Sequence, residues 1–151
     1  MRVEHAALWA ADLEGMKDFY VRHFGATASA RYENRAKGFA SYFLTFTEGA
    51  RLELMRKDSI AEGARRAAMA EGCAGSEGRS ADDGGACDPS RERLGFAHLA
   101  FSCGSEAEVN RLAEGFVSEG VPVVSGPRRT GDGYYEAVIR DPEGNYLEIT
   151  V

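Results

Sequence analysis

The chain has 151 residues, of which 44% are hydrophobic and 10% aromatic, enough apolar material for a core and too much for a disordered or fibrous chain. With 18 Lys and Arg against 24 Asp and Glu the net charge is −6; neither nucleic acid nor an anionic membrane gains by releasing counterions to such a surface, so the expected partner is a small-molecule substrate. No run approaches the roughly 20 apolar residues of a membrane span, Met1-Arg2-Val3-Glu4-His5 leads straight into a mixed segment, and Cys73, Cys87 and Cys103 match no metal spacing, so a soluble cytoplasmic protein with free thiols is expected.

Residues 2–10 read as a strand. From Asp12 to His23 a helix is expected, because Leu13, Met16, Phe19, Tyr20 and Phe24 recur at helical spacing and Gly25 supplies the stop. The pattern then changes to period two over 26–32, 39–46 and 51–56, with Glu48-Gly49 as a turn. Residues 61–93 differ in kind, with six glycines, charges of both signs and Met69 as the only large apolar side chain. Apart from a short helix expected over Glu62–Glu71, such a segment buries too little to offset its ordering entropy and is expected to be mobile.

The opening order then returns. Phe96–Cys103 reads as a strand, and Ser105 with Glu108 forms a capping box ahead of a helix whose apolar face is Val109, Leu112, Phe116 and Val117, stopped at Gly120. Strands follow at 121–124, 134–140 and 145–151, the last two joined by the turn Asp141-Pro142-Glu143-Gly144-Asn145. The chain is therefore an internal repeat of β-α-β-β-β units, with a first module over 1–57, a Gly-rich charged insertion over 58–93 and a second module over 94–151.

Each repeat carries a histidine in its first strand and a glutamate in its last. His5 and Glu53 are 48 residues apart, and His98 and Glu148 are 50 apart. Strand alternation gives the directions: Leu147 and Ile149 face the helices, leaving Glu148 on the concave face, and Leu52 and Leu54 do the same for Glu53. A lone strand histidine is ordinarily a hydrogen-bonded core or surface residue. Four such side chains at paired positions point instead to a site for one divalent transition metal, Zn²⁺ or Ni²⁺ first, with Co²⁺, Mn²⁺ or Fe²⁺ as alternatives. His23, with no counterpart in the second repeat, is read as structural.

Val3-Glu4-His5, Phe19-Tyr20 before Phe24-Gly25, Arg51-Leu52-Glu53-Leu54-Met55, Phe96-Ala97-His98-Leu99-Ala100-Phe101 and the Asp141–Asn145 turn before Leu147-Glu148 resemble the vicinal oxygen chelate superfamily, over the whole chain except 61–93. That superfamily includes glyoxalase I, bleomycin-resistance proteins, extradiol dioxygenases, fosfomycin-resistance enzymes and methylmalonyl-CoA epimerase. The fold class expected is α+β, the two βαβββ modules forming a cupped eight-stranded mixed sheet with helices on the convex side. The ligand order His5, Glu53, His98, Glu148 is similar to that of glyoxalase I, whereas the dioxygenases resemble one another in needing no residue like Glu53. The resemblance departs at Trp9 and Lys57, which stand where glutathione-using glyoxalases place an arginine and an asparagine. Trp9 replaces a cation with an aromatic wall.

The expected activity is that of a glyoxalase I-like lyase or isomerase on a small carbonyl or hemithioacetal, with Glu148 as the base and Glu53 in a supporting or second-base role. Arg128 is expected on a rim over the cleft, as a contact for a substrate carboxylate or phosphate. Two other readings are a drug-binding module, its cleft lined by Trp9, Phe39, Tyr42 and Tyr135, and an extradiol dioxygenase-like enzyme. A homodimer is expected, because concave half-barrels with exposed edge strands gain by pairing.

Overall fold

The computed structural model describes residues 1–63 and 96–151. The chain forms two compact units, Met1–Asp88 and Pro89–Val151. Most of the expected insertion, with its Glu62–Glu71 helix, Cys73 and Cys87, lies outside the described residues; residues 58–63 are helical.

The first unit runs β1 (His5–Trp9), α1 (Leu13–Phe24), β2 (Thr27–Ala28), β3 (Tyr32–Asn34), β4 (Phe39–Thr45) and β5 (Arg51–Lys57). Helix α1 begins where Asp12 Oδ1 accepts the Gly15 amide at 3.0 Å and ends at Gly25, whose φ of 62° few other residues adopt readily. Its buried residues Leu13, Met16, Phe19 and Tyr20 follow the expected spacing. The sheet has the order β1-β5-β4-β2, with β3 also paired to β4. Its β1/β5 pair is parallel and its β4/β5 pair antiparallel. The stretch expected as one strand over 26–32 is thus two short strands, and a turn of 3₁₀-helix at Arg35–Lys37 follows them.

The second unit runs β6 (Leu99–Ser102), α2 (Glu106–Ser118), β7 (Val123–Arg129), β8 (Tyr135–Arg140) and β9 (Tyr146–Thr150), with sheet order β6-β9-β8-β7. Ser105 caps α2 as expected, accepting the Glu108 amide at 3.2 Å. The buried stripe of α2 is Val109, Ala113 and Phe116, while Val117 is exposed, because positions four and seven residues after Val109 stay closest to one helix face. Strand β7 runs well past the expected 121–124. It continues through Pro127 because it is an edge strand with two register shifts, where a missing amide costs no ladder hydrogen bond. Asp141 is buried and organises the β8–β9 turn: Oδ1 accepts the Glu143 and Asn145 amides at 3.0 and 2.9 Å, and Oδ2 accepts the Asn145 side-chain amide at 2.8 Å.

The fold is α+β with two mixed sheets of five and four strands, each hydrogen-bonded within its own unit. An eight-stranded sheet is not among the pairings of the described residues. In each unit the helix covers one sheet face. Leu44, Leu52 and Leu54 are buried on the α1 side, and Ala137, Ile139, Leu147 and Ile149 on the α2 side. At about 25 cal/mol per Å² of apolar surface, each buried leucine or isoleucine contributes roughly 1.5–3 kcal/mol, enough to lock the phase of β4, β5, β8 and β9. What alternates with these residues is left on the open face.

Candidate metal centre

In the first unit β1 and β5 place His5 beside Arg51, Ala7 beside Glu53 and Trp9 beside Met55. His5 Nε2 lies 3.9 Å from Glu53 Oε2. The other ring nitrogen, Nδ1, is hydrogen-bonded to the carboxylate of Glu4, which also accepts from the Arg51 guanidinium. A carboxylate can only accept, so Nδ1 carries a hydrogen, and in the neutral ring the lone pair is that of Nε2, on the side of Glu53. The bonds from His5 and Arg51 hold the Glu4 carboxyl below the usual carboxylate range. The His5 ring stands edge-on to Phe43, centroids 5.3 Å apart, and the Arg51 guanidinium lies 4.3 Å over the same Phe43 ring.

The second unit repeats the arrangement. Glu148 on β9 is beside Ala100 on β6, His98 directly precedes β6, and His98 Nε2 is 3.5 Å from Glu148 Oε2. The side chains of His5 and Glu53 are 39% and 16% exposed, those of His98 and Glu148 47% and 16%. In both units a half-open imidazole therefore leans over a mostly covered carboxylate. Burial pushes the Glu148 carboxyl above its usual range, and the nearby Glu136 carboxylate adds to the shift. A bound cation would act in the opposite direction.

Each pair offers one imidazole nitrogen and one carboxylate as donors. Among the described residues no group of three or more His, Cys, Asp or Glu side chains is gathered as a cation site. Imidazole nitrogen with carboxylate oxygen is a donor set that suits a borderline divalent cation.

Of the expected substrate contacts, Trp9 shares a face with His5 and packs edge-on against Phe39, centroids 6.3 Å apart; Tyr32 joins Phe39 at 6.1 Å. At about 3.3 Å per strand residue, Trp9 lies roughly 13 Å along β1 from His5. Arg128 is not in a loop but in β7, opposite Glu136, with its Nη2 donating to Glu136 Oε1 at 3.0 Å. Tyr135 and Tyr42 face the helices instead of the cleft. Tyr135 Oη donates to Asn110 Oδ1 on α2 at 2.8 Å, and Tyr42 Oη donates to the Glu14 carboxylate on α1 at 2.9 Å.

Two residues beside the site were not expected from the sequence. Glu4 braces His5, and Glu136, buried on the face that carries Glu148, stands diagonal to Glu148 and pairs with Arg128. A signal for Glu136 exists: Ala137 and Ile139 fix the inward phase of β8, which places Glu136 and Val138 on the other side.

The chain belongs to the glyoxalase/bleomycin resistance protein/dioxygenase superfamily, whose family model matches residues 2–149. Among solved structures it is similar to the trypanothione-dependent glyoxalase I of Leishmania major, with 17% identity, a TM-score of 0.64 and coverage of 99% of this chain and 85% of that one. The lactoylglutathione lyase of Agrobacterium tumefaciens matches with 23% identity, a TM-score of 0.58 and coverage of 98% and 91%. Glyoxalase I of Zea mays matches at 19% identity with a TM-score of 0.68; there 99% of this chain spans 44% of that one. At these identities the likeness is one of fold. No curated protein matches the sequence significantly. No helix among the described residues is long and apolar enough to cross a membrane.

Proposed function

We propose that the protein is a divalent-metal-dependent lyase or isomerase of the glyoxalase I type, moving a proton beside the carbonyl of a small carbonyl or hemithioacetal substrate. The observation that carries this reading is the doubled His–Glu pair, with nitrogen to oxygen separations of 3.9 and 3.5 Å on the open faces of two like sheets. His5, Glu53, His98 and Glu148 would hold the cation, Zn²⁺ or Ni²⁺ before Co²⁺, Mn²⁺ or Fe²⁺. When bound, it would polarise the substrate oxygens and lower the cost of the enediolate.

Glu148 removes the carbon-bound proton and returns it to the neighbouring carbon. Glu148 takes this role because a second carboxylate, Glu136, shares its sheet face, and a carboxylate that loosens from the cation can act as a base with no further residue. Glu53 is the supporting carboxylate. Trp9, with Phe39 and Tyr32, forms an aromatic wall that only a substrate reaching roughly 13 Å from His5 would touch. That wall holds no arginine for a terminal carboxylate, so thiols other than glutathione belong in the substrate screen. The working form is a homodimer in the cytoplasm, with one cation per site.

The test is Glu148→Gln, scored for bound metal by elemental analysis and for turnover on hemithioacetals of glutathione and of other thiols. Loss of a general base lowers kcat about 10²–10⁴-fold, and the substituted protein should retain much of its metal. Turnover surviving in Glu148→Gln overturns the assignment.

A further inference from the structure

The two half-sites differ at one pair of equivalent positions. On β4, Phe43 stands opposite Glu53 and Ser41 opposite Met55; on β8, Val138 stands opposite Glu148 and Glu136 opposite Thr150. Ser41 and Glu136 are thus the same place in the two repeats, and both are buried, at 3% and 7% exposure. In the first unit that place holds a small hydroxyl. In the second it holds a carboxylate diagonal to Glu148 on one sheet face, a spacing that long side chains bridge. Glu136 and Glu148 thus share one sheet face, with one residue pair between theirs along β8 and β9. On its other side Glu136 accepts from Arg128 Nη2 at 3.0 Å, and Arg128 is its cross-strand partner on β7.

The charges decide what Arg128 does. Around it stand two carboxylates, Glu136 at 3.0 Å and Asp132 close enough to feel its charge, so the single guanidinium is already outnumbered and offers a substrate anion little net attraction. Its bond to the less exposed of the two fixes Glu136, and Glu136 in turn stands diagonal to Glu148 on the same sheet face, within the reach of long side chains. Building on the metal-dependent activity proposed above, we infer that Glu136, anchored by Arg128, is a positioning residue that sets the orientation of the Glu148 carboxylate. In the first half-site the equivalent place holds Ser41, so no carboxylate among the described residues stands there to brace Glu53.

A salt bridge that merely holds β7 to β8 would explain the same contact, so the test needs a readout that strand pairing alone does not move. The absorption spectrum of Co²⁺ added to the protein reports ligand geometry directly. It is compared for the unaltered chain, Glu136→Ala, Glu136→Gln and Arg128→Ala, with circular dichroism to verify folding. Glutamine keeps the bridge, since its amide N–H can donate to Glu148 while its carbonyl accepts from Arg128. The expected result is an altered Co²⁺ spectrum and a 10–100-fold loss of kcat at little change in KM for Glu136→Ala, the scale usual for residues that orient a ligand. Glu136→Gln should restore both within about 3-fold, and Arg128→Ala combined with Glu136→Ala should be no worse than Glu136→Ala alone. If Co²⁺ binds the folded variants with unchanged spectra and kcat, the bridge is structural and the inference is overturned. If Co²⁺ does not bind the unaltered chain, the metal-dependent function itself fails, and this inference with it.

Discussion

Gly126 sits in β7 with φ of 84°, and a Cβ added there would lie 2.5 Å from the Glu136 carbonyl oxygen and 2.8 Å from the Ala137 Cα. Both are backbone atoms of the neighbouring strand, so no side chain can rotate away; the strands must separate. Gly120, just past α2, has φ of 74° but nothing within 4 Å of its added Cβ. The two alanine substitutions therefore share the cost of a left-handed backbone, about 1–2 kcal/mol, and only Gly126→Ala adds overpacking, about 1–3 kcal/mol. Thermal unfolding followed by far-ultraviolet circular dichroism should put Gly126→Ala at least ~5 °C below Gly120→Ala, given roughly 4–8 °C per kcal/mol for a unit of this size. Equal melting points would refute the β7–β8 register from which Arg128 and Glu136 were paired. The substitution should also reach the candidate site, because moving β7 away from β8 lengthens the 3.0 Å bond between Arg128 and Glu136.

Asp12→Ala removes the acceptor of the Gly15 amide and should cost about 1 kcal/mol in urea denaturation, with Asp12→Ser recovering most of it. Tyr42→Phe deletes the hydroxyl that donates to Glu14 at 2.9 Å and should cost about 1 kcal/mol at neutral pH. The Glu14 carboxyl is held below its usual range by its bonds to Lys17 and Tyr42, so the stabilisation is present above the unfolded-state value and is lost as pH falls through the lower folded-state value; the Tyr42→Phe penalty should accordingly shrink in denaturation series carried into acid. For assembly, inactive His5→Ala and Glu148→Ala chains are mixed under exchange conditions. Recovered turnover requires sites whose two His–Glu pairs come from different chains, proven heterodimers without recovery place each site within one chain, and a monomeric mass in solution overturns the dimer.

The helices and most strands were legible because their signals are local. The apolar spacing of Leu13, Met16, Phe19 and Tyr20 and the caps Asp12 and Ser105 each act within a turn or two of themselves. The His–Glu pairs were legible for a different reason: a repeat shows twice what one copy leaves ambiguous. Arg128 was misplaced because Pro127 argues against a strand unless the strand is known to be an edge, and edge status is a property of the whole sheet. Tyr42 and Tyr135 suit a cleft by residue type alone, but the phase fixed by Leu44 and Ile139 turns them toward the helices. Glu4 escaped notice because its role depends on Arg51, a partner 47 residues away on an adjacent strand.

The repeat makes the two half-sites alike in their ligands, and the neighbours make them unlike. In the first unit the charged pair beside the site, Glu4 with Arg51, braces the imidazole of His5. In the second the pair is Glu136 with Arg128, on the sheet face that carries Glu148. An imidazole held at Nδ1 has its Nε2 lone pair fixed in direction, which favours a firm ligand. A carboxylate pressed against a second carboxylate and buried has a raised proton affinity, which favours a base. Proton transfer needs that division, since a group that only binds tightly cannot also give up and take back a proton. Under the proposed function, two copies of one β-α-β-β-β unit would acquire different tasks through the ion pair that stands beside each His–Glu pair, with no change in the histidines and glutamates themselves.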